Sequence, residues 1–134
     1  MKNLLLIMGL GILPGCAIID AYLMTKYDPN EYRLISEIRT DAMIAKKDCK
    51  DPQKSTYNAV SLANKTQLFE VYSENVPRND NVIAASKDLN SIAQGLAARY
   101  NPFNAPSETF CKIKFESIEN NASKMQQTIG ARPR

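Results

Sequence analysis

The side chains with the most chemistry to offer in this 134-residue chain are three cysteines, Cys16, Cys49 and Cys111, and no histidine stands with them. Without imidazole the chain lacks the usual general base, the usual proton switch and the commonest metal ligand. Two thiols and no histidine make a poor zinc set. Glu37 and Asp41 lie four apart, a spacing found in metal and acid-base sites, but a di-iron bundle needs Glu-x-x-His motifs that this chain cannot supply. The phosphate, dinucleotide, hydrolase and dithiol signatures are missing as well. The expectation is a protein that is not an enzyme and carries no cofactor or metal.

The setting of Cys16 is more informative than its thiol. Lys2 precedes an apolar run from Leu4 to Leu13, about the length of the hydrophobic part of a signal peptide and short of the roughly 17 to 25 residues that span a bilayer. The run closes with Leu13-Pro14-Gly15-Cys16, which resembles the bacterial lipobox: an aliphatic residue, a variable one, a small one, then the cysteine that is lipidated. The resemblance implies that residues 1–15 are a signal peptide and that Cys16 becomes an N-terminus bearing palmitate-type acyl chains. More than one chain makes such an anchor stable. Ala17, where an Asp would favour the inner membrane, implies an outer-membrane lipoprotein facing the periplasm, with surface display open. The alternative is a buried Cys16 in an uncleaved anchor or an ordinary signal peptide.

Export to an oxidising compartment changes what Cys49 and Cys111 are expected to do, because two thiols kept there usually pair. A reduced buried pair or a metal site are the other readings. A bridge between them would close a loop of about 62 residues and contribute roughly 4 kcal/mol on the chain-entropy model.

The elements that must position these residues are helices. Asp28-Pro29-Asn30-Glu31 reads as a cap, a first-turn proline and a capping-box glutamate, followed by Ile35, Ile38, Ala42, Ala45 and Cys49 at spacings of three and four. Asp51-Pro52 ends that helix. A second, from about Ser55 to Asn75, carries Leu62, Phe69, Tyr72 and Val76, with Val60, Leu68 and Val71 expected to widen its apolar face. A third starts near Asn79 to Asn81 and reads Val82, Ala85, Leu89, Ile92, Leu96 and Tyr100, with Gly95 expected to allow close packing. The fourth is capped by Ser107 and carries Cys111, Phe115, Ile118, Ala122, Met125 and Ile129 before Gly130.

Short Pro- and Asn-containing connections predict an all-α, antiparallel up-down four-helix bundle clamped by one disulfide. In that topology the end of the first helix and the start of the fourth share one end, where Cys49 and Cys111 fall. Residues 29–130 form the bundle domain and residues 131–134 a short frayed basic tail. Residues 16–28 are a lipid-anchored linker, in which Ile18, Ile19, Tyr22 and Leu23 share a side that lies either on the membrane or on the bundle.

The formal charge of +3 comes from 17 basic and 14 acidic residues spread along the chain, which argues against a nucleic-acid partner. Lys46, Lys47 and Lys50 read as a solvated helix end. Asn64-Lys65-Thr66 and Asn121-Ala122-Ser123 match a glycosylation sequon but read as helix surface. Helical spacing places several of the six tyrosines in or at the edge of the core, which favours packing over a binding surface. Phe103, between Pro102 and Pro106, is either a contact for a protein partner or a plug over the bundle end beside the bridge. The expected function is a protein-binding or scaffold module of the cell envelope, held to the membrane by its lipid. The alternatives are an exclusion or immunity lipoprotein of a phage or conjugative element, or a small-ligand carrier in the bundle core.

Overall fold

The structure is a computed structural model and describes residues 25–134. Cys16, the signal segment and the expected face of Ile18, Ile19, Tyr22 and Leu23 lie outside the described residues. Among the described residues all regular structure is helical: α1 (Pro29–Ala45), a single 3-10 turn (Lys46–Asp48), α2 (Pro52–Glu74), α3 (Asp80–Ala97) and α4 (Glu108–Gly130).

Local chemistry sets the starts of these helices. Asp28 accepts from the backbone N–H groups of Asn30 and Glu31, and Asp51 does the same for Gln53 and Lys54, each followed by a proline whose missing N–H costs nothing in the first turn. The Asp51 cap moves the start of α2 from the expected Ser55 to Pro52. Ser107 caps α4 through the N–H of Phe110 at 3.1 Å.

The helices form a bundle in which each packs on its neighbours in the chain and α1 packs on α4. Its core is the set of stripes read from the spacing: Ile35, Ile38, Ala42 and Ala45 from α1, Leu62 and Phe69 from α2, Leu89 and Leu96 from α3, Phe115, Ile118 and Ile129 from α4. Burial of each large apolar side chain contributes about 1.5–3 kcal/mol. The Cys49–Cys111 disulfide joins the chain just after the 3-10 turn to the first turn of α4, with Cα atoms 5.8 Å apart.

Four expectations are corrected. Val60, Leu68 and Val71 do not widen the buried face of α2, since they are 47 %, 54 % and 52 % exposed. Apolar residues on opposite sides of one helix cannot both face the same core. Gly95 makes no close approach, for a Cβ built there meets nothing within 4 Å; the tight place is Gly130, where a Cβ would come within 3.0 Å of the Tyr32 ring.

Glu31 does not complete a capping box, because both its carboxylate oxygens are taken elsewhere. Asn79 donates to one and Arg132 to the other, both at 2.5 Å, while Asn79 also donates to the Ser73 carbonyl at 3.0 Å. The residues after Gly130 are therefore docked, not frayed. The N–H of Tyr27 donates to the Pro133 carbonyl at 2.8 Å, and the Arg134 guanidinium lies 4.9 Å from the centre of the Tyr27 ring.

Candidate protein-binding loop

The connection between α3 and α4 is held by its own polar atoms. The Asn101 carboxamide oxygen accepts from the N–H groups of Phe103 and Asn104 at 2.9 and 2.8 Å, and the Asn101 N–H donates to the Asn104 carbonyl at 3.1 Å. This is an asparagine-closed turn. Pro102 and Pro106 restrict the residues before them to extended backbone. Tyr100 is buried just ahead of the turn, and Ser107 caps α4 just after it, so both ends of the loop are fixed.

Phe103 stands at the tip of this turn and is 92 % exposed. It is not the plug over the bundle end that the sequence left open. A groove of about 710 Å³ runs beside it, between Pro52, Gln53 and Thr56 at the start of α2 and the loop from Tyr100 to Ala105. On the loop's other side a depression of about 320 Å³ lies against Arg99 and Phe110. The Arg99 guanidinium sits 5.1 Å and the Lys114 ammonium 5.5 Å from the centre of the Phe110 ring, within the range of cation–π attraction.

Part of the charge around this end is paired at short range. Lys112 donates to Glu108 at 2.6 Å and holds the Glu108 carboxyl below the usual range. Lys46 pairs with Glu119, and Asn58 donates to Asp48 at 3.1 Å. Such a surface can grip an apolar group by burying the Phe103 ring, with polar rims on either side.

Of the residues singled out from the sequence, Cys49 and Cys111 are brought together by their bond. Phe103 lies eight positions before Cys111, in the loop that leads into the clamped turn. Cys16 falls outside the described residues. Glu37 and Asp41 do not converge on a site, because Arg33 takes Glu37 at 2.6 Å and Lys65 takes Asp41. No group of three or more His, Cys, Asp or Glu among the described residues is placed to hold a metal ion.

Sequence reasoning missed two features. One is the buried cluster of Glu31, Asn79 and Arg132, whose members are 48 and 101 positions from Glu31 and leave no local pattern. The other is the exposed side of α2, whose signal was present as apolar residues in excess of one face. No family model, curated protein or solved structure matches the chain.

Proposed function

We propose that this chain is a non-enzymatic lipoprotein of the bacterial envelope, anchored through Cys16, whose helical bundle holds a protein partner by the Phe103 loop. The observation that carries the reading is a 92 % exposed phenylalanine on a turn pinned by Asn101. A large apolar side chain held rigid in water costs solvation, and burying it against a partner recovers that cost without ordering a loose loop. In this reading the helices run up, down, up and down, so that the tether and the Phe103 loop lie at opposite ends. Two sets of contacts support it: Asp28 with Tyr72 and Arg132 with Glu31 and Asn79 at one end, Cys49 with Cys111 at the other. From Pro29 to Cys49 the chain rises about 30 Å at 1.5 Å per residue, which carries the loop away from the membrane.

The test is a cross-linking pulldown from a bacterium expressing the full chain. Phe103→Ala lowers capture of the envelope partner at least about fivefold, a loss of roughly 1 kcal/mol or more. Equal capture by both proteins removes the loop from the interface. In parallel, the wild type labels with a palmitate analogue and fractionates with membranes, and Cys16→Ser loses the label; equal labelling overturns the anchor.

A further inference from the structure

The outward side of α2 carries Tyr57, Val60, Asn64, Leu68 and Val71, all exposed, with Tyr57 at 74 %. At 100° per residue these five fall within an arc of about 80°, and the stripe is about 21 Å long. Gln53 and Asn75 extend the same arc at its two ends, so no position on it is charged. A helix side facing only water ordinarily alternates charges.

The spacing about Asn64 is symmetric: Val60 and Leu68 lie four positions to either side, Tyr57 and Val71 seven. A stripe that reads the same in both directions fits a reversed copy of itself. This is the self-complementarity that a two-fold interface requires.

We infer that α2 is a self-association surface, on which a second copy of this chain packs antiparallel across a two-fold axis at Asn64. Val60 of one copy then lies alongside Leu68 of the other, and Tyr57 opposite Val71. The ridge of residues 60, 64 and 68 is the i, i+4 row that interdigitates when two helices cross. The two Asn64 carboxamides meet at the axis, where each can donate to and accept from the other and so fix the register, as a lone asparagine does in a coiled coil.

The charges flanking the stripe fit such a contact. Lys65 is held by Asp41, Glu70 accepts from Asn90 at 2.7 Å and Glu74 pairs with Lys87 at 3.6 Å, all within one chain. A mostly polar groove of about 260 Å³, lined by Asp41, Ile44, Tyr57, Asn58 and Lys65 among others, borders one end of the stripe. The four exposed apolar residues of the stripe offer about 400 Å² per copy, or about 800 Å² in the pair, below the roughly 1,000 Å² that a stable specific interface clears and in the range of transient ones. The dimer is therefore weak in dilute solution and sensitive to local concentration. It depends on neither Phe103 nor the anchor.

The experiment places the photoreactive residue benzoylphenylalanine at Gln67, exposed at the edge of the stripe, in the full chain in a bacterium, with the same probe at Asn120 on α4 as control. Irradiation gives an adduct of two chains at position 67, with the cross-link mapping to α2 of the second copy, and no more than background at position 120. Leu68→Glu lowers the yield at least fivefold while the thermal midpoint stays unchanged, and Val71→Lys does the same should the first variant fold poorly. Phe103→Ala leaves the adduct intact, which separates this surface from the partner loop. Absence of a two-chain adduct at position 67, or an adduct to a different protein there, overturns the inference.

Discussion

Arg132 and Glu31, 101 positions apart, form an ion pair at 2.5 Å with side chains 8 % and 0 % exposed. The same guanidinium donates to the Asn79 side-chain oxygen, whose amide donates back to Glu31, so that three side chains close a ring at the end where α1 starts and α4 stops. Taking one partner from a buried pair leaves a charge in a medium that solvates it poorly, at a cost of about 3–5 kcal/mol. Arg132→Ala should therefore lower the unfolding free energy by that order in urea denaturation. Replacing Glu31 and Arg132 together by leucine and methionine should cost less than Arg132→Ala alone, because no charge is stranded. A double variant less stable than either single one contradicts this account.

The Cys49–Cys111 bridge closes 62 positions of chain and spans α2 and α3 completely. Replacing both cysteines by alanine should lower stability by roughly 4 kcal/mol on the chain-entropy model. Mass spectrometry of unreduced peptides should find the two joined. Two free thiols in protein whose thiols were trapped at cell lysis would remove the clamp.

The core was legible because it is written in local spacing. Ile35, Ile38, Ala42 and Ala45, or Phe115, Ile118, Ala122 and Met125, recur every three or four residues, and a helix turns that recurrence into one face. The pairing of Cys49 with Cys111 was expected from the oxidising compartment that the leader implies, and two such faces ending together made it geometrically plausible. What spacing cannot encode is which of two faces wins: Leu62 and Phe69 are buried while Val60 and Leu68 are not, although all four are apolar. That choice is made by neighbours on other helices. The same holds for Arg132, which looked like part of a basic tail because its partners Glu31 and Asn79 are distant in sequence. Phe103 was legible as a residue worth watching, but whether it plugged the bundle or left it depended on the Asn101 turn.

Tyr72 supplies a pH dependence. Its hydroxyl donates to the Asp28 carboxylate at 3.0 Å, and burial first, then that hydrogen bond, raise its pKa from the ordinary 10.0. The folded chain holds this proton more tightly than the unfolded one. The contribution is therefore complete below about pH 10 and is lost as pH rises through the folded-state value. Tyr72→Phe should be less stable than the wild type at pH 8, with a gap that narrows above pH 10. A gap constant to pH 11.5 would show that the hydroxyl keeps its ordinary affinity for the proton in the fold.

The two phenylalanines Phe103 and Phe115 test the division between surface and core directly. Phe115 is fully buried among the stripes of α4 and its neighbours, whereas Phe103 stands in water at the tip of its turn. Truncating a buried phenylalanine removes its transfer energy and leaves a cavity, at about 3–5 kcal/mol. Truncating one that is already solvated changes stability by no more than about 0.5 kcal/mol. The turn itself does not depend on the ring, because the Asn101 side chain bonds to backbone N–H groups that Phe103→Ala leaves in place. Urea titration of the two alanine variants should thus separate them by at least about 2.5 kcal/mol, the expected difference of the two costs. A loss of several kcal/mol on Phe103→Ala would return that ring to the core and leave the partner loop without its anchor.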